Sequence, residues 1–352
     1  MQSSAIQPAP SSVRKWLARR DWPLIVRRLS VVTAAVLFLV HVMGALVTDS
    51  GSQAGCADSW PLCKGQFIPS HFVVSTLIEF NHRAAVAIVT VLLISLIVGV
   101  LALWRNRLEI KILAPLMFIF LIGQALLGAL AVMYPTSAVI LAFHFGVSSL
   151  SVASVFVTAL FIHGFDRWDR LRDRARTGGF RWLVWGITIY TYIVIYLGAY
   201  VLHTNSALAC TSWPFCDARR PVPPLSVEPA VINMTHRVAA FILVLLVVGM
   251  LLWARRIRRA RPDFYWSSVV ALVLILAQAL EGVAVVFARA SVWAEVMHSA
   301  FVALFFSVMC FMVLQSLARP ASVRNAPPAR GRSRAKPAPR PSRGTAAALG
   351  NH

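Results

Sequence analysis

The sequence predicts an all-α integral membrane protein with eight transmembrane helices, arranged as two parallel-repeat four-helix bundles. Three observations predict it. The chain of 352 residues is 58% hydrophobic and 13% charged, where soluble domains are about half apolar and a quarter charged; its mean hydropathy is +0.71. Eight apolar runs approach the ~20 residues a helix needs to cross the hydrocarbon core. The second half of the chain also overlays the first at one constant offset.

The runs cover 29–48, 84–104, 112–133, 138–162, 182–202, 235–253, 266–288 and 292–317. An even number of spans puts both termini on one side. That side would carry 28 of the 34 Lys and Arg residues, clustered at 14–28, 105–111, 167–181, 255–261 and beyond 318. The positive-inside rule makes it cytoplasmic. The net charge of +21 is therefore read as a topology signal with attraction to anionic membrane lipid, and no nucleic-acid partner is expected. The first apolar run lacks a cleavage site, so no cleavable signal peptide is expected. The Ser- and Arg-containing N-terminus leaves a mitochondrial presequence open.

The offset is 154 residues. It pairs Gly44-Ala45 with Gly198-Ala199, Cys56 with Cys210, His82-Arg83 with His236-Arg237, Gln124 and Gly128 with Gln278 and Gly282, and His144 with His298. The Trp-Pro pairs and the second cysteines slip by one because the second loop is one residue shorter. The expected organisation is a cytoplasmic N-terminal segment 1–24, a first four-helix unit 25–163, a cytoplasmic linker 164–179, a second unit 180–318, and a basic Pro/Arg-rich tail 319–352 that should be disordered. Each unit has an even helix number, so the units share one orientation, as parallel repeats do.

Four of the nine histidines obey the offset: His82 and His144 in the first unit, His236 and His298 in the second. His82 lies 22 residues before Trp104 and His144 lies 19 before His163, which puts both roughly 30 Å from the cytoplasmic end. Two imidazoles at one depth on neighbouring helices suit the two axial positions of a haem iron inside a four-helix bundle. Zinc takes more ligands, and no third ligand recurs in both units. The alternative is hydrogen-bonded core histidines, but two pairs at a constant offset favour ligation. His41, His71, His163, His203 and His352 have no matching histidine and are expected at boundaries, in loops or in the tail. His203, at the outer end of the fifth helix, remains a candidate ligand contact.

Arg83 and Arg237 each follow one of these histidines. They suit either the propionates of a haem or snorkelling to the interface. Glu79 lies three residues before His82, on the same helix face, while its repeat partner Asn233 cannot titrate. This broken symmetry suggests chemistry in the first unit, where a carboxylate could accept a proton or stabilise positive charge, and a purely bound haem in the second. The competing reading of Glu79 is a solvated carboxylate at a helix entrance. Glu281 and Glu295 carry a weaker form of the same argument. Gln124 and Gln278, each with glycine four residues on, read as packed helix faces.

Cys56 and Cys63 enclose six residues and Cys210 and Cys216 enclose five, in loops that topology places outside. Structural disulfides Cys56–Cys63 and Cys210–Cys216 are the favoured reading in an oxidising compartment. A redox-active pair, or zinc despite atypical spacing, is the alternative. Cys310 lies in an apolar helix and reads as a core residue.

The stretches "IEFNHRAA", "FHFGVSS", "NMTHRVAA" and "MHSAFV", with the paired loops "GALVTDSGSQAGCADSWPLC" and "GAYVLHTNSALACTSWPFC", resemble the haem A synthase family over about 25–318. The resemblance implies a bacterial cytoplasmic-membrane oxidoreductase. It converts a ring methyl of haem O to the formyl group of haem A by successive hydroxylations and loss of water, serving cytochrome oxidase assembly. It also implies that His82 and His144 flank the substrate haem, that Glu79 assists at the methyl, and that His236 and His298 hold a resident haem b. Haem O synthase, a quinol or other electron donor, and a second copy of the chain are the partners it suggests. The rival readings are a di-haem quinol-linked electron-transfer cytochrome and a transporter built on parallel repeats.

Overall fold

A computed structural model of the chain describes residues 21–57, 59–71, 73–134, 137–174, 178–217, 222–223 and 225–317. Residues 1–20 of the expected N-terminal segment, 175–177 of the expected linker and the tail 319–352 lie outside the described residues. Among the described residues the chain forms eight α-helices: α1 (Trp22–Asp49), α2 (Val74–Trp104), α3 (Leu108–Met133), α4 (Ala138–Arg174), α5 (Gly178–His203), α6 (Glu228–Arg256), α7 (Pro262–Phe287) and α8 (Val292–Ser316). All eight are long and apolar enough to cross a membrane. Proline stands in the first turn of α1, α6 and α7, where its fixed φ suits the helix and its missing N–H would have had no intrahelical partner.

Three boundaries differ from the apolar runs, and each difference matters. Helix α2 begins at Val74 and α6 at Glu228, well before the runs at 84 and 235, so Glu79 and Asn233 sit inside helices rather than at their mouths. Helix α4 continues to Arg174 across a non-helical Gly164 (φ −148°, ψ 34°), so 164–174 of the expected linker is helical. Hydropathy does not register such an extension because it carries charged residues, among them buried Asp169 and Arg172. At the bend, Trp168 Nε1 donates to the Leu160 carbonyl at 2.9 Å.

Helices α1 to α4 close into one ring through contacts α1–α2, α2–α3, α3–α4 and α1–α4, and α5 to α8 close a second ring in the same way. The rings join where α4 packs on α8 and α5, and α1 on α8. Helices α4 and α8 are central, with 67% and 61% of their apolar windows buried against 6% for α3. Their sequences explain this. Ser149, Ser151, Ser154 and Thr158 on α4, and Ala300, Ala303 and Ser307 on α8, are all buried, and small side chains let helix backbones approach. The hydroxyls bond within their own helix, Thr158 Oγ1 to the Ser154 carbonyl and Ser307 Oγ to the Ala303 carbonyl, both at 2.7 Å. These bonds pair the two hydroxyl donors inside an apolar medium. The opposite faces expose Val31, Leu39, Val98, Phe118 and Leu252, as lipid-facing surfaces do.

One end of the molecule is tied by charge. Arg27 Nε donates to the Ile162 carbonyl at 2.9 Å, Arg107 pairs with Asp169 at 2.7 Å, and Arg172 pairs with Glu109 at 2.9 Å. Gln315 Nε2 reaches the Trp168 carbonyl at 3.1 Å. These contacts gather the start of α1, the α2–α3 turn, the α4 extension and the end of α8 at one end. The two cysteine loops lie at the other.

Candidate functional site

The fold carries the four repeat histidines on α2, α4, α6 and α8, two in each ring. His82 lies close enough to His144 to interact electrostatically, and so does His298 to His236. Each imidazole is seated on a glycine of the adjacent helix. A Cβ built on Gly44 would come 3.2 Å from Cε1 of His82, and one on Gly128 would come 3.6 Å from Cε1 of His144. In the second ring the values are 2.8 Å for Gly198 against His236 and 3.3 Å for Gly282 against His298. All four Nδ1 atoms are buried without a hydrogen-bond partner.

In the second ring His236 and His298 line a cavity of about 250 Å³. Its walls are apolar, including Val194, Phe241, Val244, Ile275 and Phe305, with Asn233, Arg237 and Glu295 as polar members. Trp213 reaches it from the cysteine loop, and Phe145 closes it from α4, next in sequence to His144. Ligand pockets combine apolar walls with a few placed polar groups in this way. Among the described residues no three His, Cys, Asp or Glu side chains converge on one point. The second ring therefore offers two imidazoles beside an apolar cavity, a donor set that would suit a haem, and the first ring repeats the two imidazoles and their glycines.

Both predicted disulfides are present, Cys56–Cys63 with Cα atoms 4.5 Å apart and Cys210–Cys216 with 4.3 Å. Each loop is clasped by the arginine that follows the first histidine of its ring. Arg83 Nη1 donates to the Ser59 and Leu62 carbonyls at 2.6 and 2.7 Å. Arg237 Nη1 donates to those of Ser212 and Phe215 at 2.6 and 3.2 Å, and its Nη2 to that of Cys210 at 2.9 Å. The propionate and snorkelling readings both missed these targets, because an arginine next to a histidine says nothing about which backbone carbonyls a loop will turn towards it.

Glu79 is buried, not solvated. One carboxylate oxygen accepts from the Cys56 N–H at 2.7 Å and the other pairs with Arg83 one turn on. Asn233 holds the second loop differently, its Nδ2 donating to the Ser206 and Ala207 carbonyls, both at 2.9 Å. The two partners thus share a loop-holding task with opposite hydrogen-bond polarity: the carboxylate accepts and the amide donates.

One further histidine departs from expectation. His41 is not a boundary residue: it is buried in α1, 2.9 Å from Ser148 Oγ through Nδ1 and with its ring centroid 5.1 Å from that of Phe145. It lies within electrostatic reach of both His82 and His144. At the matching position α5 carries Ile195. His203 ends α5, as expected, within electrostatic reach of His144. Gln124 Nε2 donates to the His144 carbonyl at 3.1 Å, and Gln278 and Glu295, but not Glu281, line the second cavity.

The chain matches the family model described as cytochrome oxidase assembly protein (COX15-CtaA) over residues 27–310. A protein of Bacillus cereus named Heme A synthase is 37% identical over 289 residues, covering 82% of this chain and 92% of the relative. A Bacillus anthracis protein of the same name is 36% identical over the same shares.

Proposed function

Since the chain belongs to the haem A synthase family of cytochrome oxidase assembly proteins, we propose that it is a membrane oxidoreductase that converts the ring methyl of haem O to the formyl group of haem A by successive hydroxylations. The two rings are read as parallel repeats with divided labour: the first, 25–163, takes the substrate haem between His82 and His144, and the second, 180–318, holds a resident haem b between His236 and His298. When bound, haem b supplies a one-electron carrier. The chain's own residues bind, orient and cover.

The observation that carries this reading is the shared geometry of the four histidines. All four have a buried Nδ1 without a hydrogen-bond partner and a glycine behind Cε1. A core histidine has no need of that arrangement in each of four places. A ligand must present one nitrogen in a fixed direction.

Glu79 stands three residues before His82, with both oxygens engaged by Cys56 N–H and Arg83. It fixes the first lid and keeps a negative charge near the substrate site, where it offsets positive charge developing at the reacting carbon. Arg83 and Arg237 hold the lids and so keep water from the haem edges. The chain would sit in the bacterial cytoplasmic membrane with the cysteine loops on the outer face and the Arg-rich end inside. It would receive haem O from haem O synthase and electrons from a quinol or similar donor, and a second copy of the chain remains a candidate partner.

Replacing His236 with alanine should remove haem b from the purified protein while the chain still inserts. Replacing His82 should leave haem b in place and abolish haem A formation. Equal loss of haem b in both variants would sink the division of labour.

A further inference from the structure

At the Arg-rich end, the α4 extension and the start of α7 enclose a cavity of about 310 Å³, lined by Arg167, Trp168, Arg170, Pro262, Asp263 and Trp266. It lies at the opposite end of the molecule from the cysteine loops and is separate from both histidine pairs. We propose that it binds the phosphodiester headgroup of an anionic membrane phospholipid.

Its charge balance is cationic. Arg167 and Arg170 are exposed and, among the described residues, no carboxylate pairs with either; Arg167 lies over the Trp168 ring at 5.1 Å. The acid in the lining, Asp263, is held by Arg261, whose Nε and Nη2 approach its two oxygens at 3.0 and 2.7 Å. Its charge is thereby offset, and Arg261 is itself buried. The cavity also faces the N-terminus of α7, a helix of 26 residues whose first turn no side chain caps. That end carries the positive pole of the helix dipole.

The choice of a lipid over a soluble anion follows from where the cavity lies. Trp168 and Trp266 flank it, Trp266 being 62% exposed, and tryptophan at the end of a spanning helix marks headgroup depth. Just beyond, α7 exposes Val270 and Val273 to the surface, so an acyl chain can run along the helix while the phosphate stays in the cavity. Basic pockets between helices at the cytoplasmic interface take acidic lipid headgroups for this reason.

The full-length protein with its haem bound is washed in detergent and offered phosphatidylglycerol or phosphatidylcholine at equal concentration, and retained lipid is counted by native mass spectrometry. Wild type should prefer phosphatidylglycerol by about thirtyfold, the scale expected for two arginines at a headgroup. Arg167→Gln with Arg170→Gln should bring retention down to the phosphatidylcholine level with the haem spectrum unchanged. Arg258→Gln with Arg259→Gln removes the same charge from exposed residues outside the cavity and should keep the preference. The proposal is overturned by any of three results: no preference in wild type, equal loss in the Arg258/Arg259 pair, or displacement of the lipid by an equal concentration of inorganic phosphate.

Discussion

Gly198 on α5 packs directly against the imidazole of His236 on α6, so closely that a Cβ there would stand 2.8 Å from Cε1. No real Cβ sits at that distance without something moving. The same relationship recurs at Gly44 and His82, Gly128 and His144, and Gly282 and His298, with more room in each. These glycines fix how far each ring can retreat towards the neighbouring helix, and so where its Nε2 points.

Gly198→Ala should therefore shift His236 and weaken haem retention in the second ring. Overpacking a close-fitted site costs about 1–3 kcal/mol, or roughly a five- to hundredfold loss of occupancy. Gly186→Ala, where nothing lies within 4 Å of the added Cβ, should leave occupancy unchanged. Haem per chain after purification, read by absorbance, checks both. Equal retention in the two variants would mean that the glycine does not position the ligand.

Arg83→Ala strands the buried Glu79 carboxylate and frees the Ser59 and Leu62 carbonyls. Removing one partner of a buried pair costs about 3–5 kcal/mol, so the melting temperature should fall clearly. Adding Glu79→Gln should recover part of that loss, because no uncompensated charge then remains. If the double variant is less stable than Arg83→Ala alone, the pair is not coupled as described.

The Glu79→Gln variant by itself separates the lid role from the charge role. Glutamine can still accept from the Cys56 N–H, so the loop stays anchored, while the negative charge is gone. Haem A formation should drop by at least tenfold, on the scale of a lost electrostatic contact to the transition state, with haem b content unchanged. Activity within a factor of two of wild type would leave Glu79 with its structural task alone.

Cys210→Ser with Cys216→Ser tests the structural reading of the bridges. Each closes a short loop, so its removal should cost about 2 kcal/mol, at the lower end for disulfides. The second loop keeps its clasp through Arg237 and Asn233, and haem b should remain bound. Loss of haem A formation at full haem b occupancy and unchanged stability would instead assign the pair a redox task.

Much of this site could be read from the sequence because the second half repeats the first. The offset singled out His82, His144, His236 and His298, and it also marked Gly44, Gly128, Gly198 and Gly282, although only the structure shows that those glycines bear on the rings. The same filter discarded His41, since Ile195 stands at the matching position. A residue confined to one ring is invisible to a test for recurrence. Glu79 was found as a departure from the repeat, but its hold on the Cys56 N–H depends on the path of a loop backbone, which side-chain spacing does not encode. The reach of α4 to Arg174 escaped hydropathy because buried Asp169 and Arg172 make ion pairs to α3 and its preceding turn, and charged residues count against a span however well they are paired.

The account rests on haem O being oxidised in the first ring. The most direct measurement is haem extraction from membranes in which the full-length chain is co-expressed with a source of haem O. Haem A should appear beside haem b with wild type, and haem O with haem b should remain when His82 is replaced. Extracts of wild type that hold only haem O and haem b, with the folded protein present at normal levels, would contradict it.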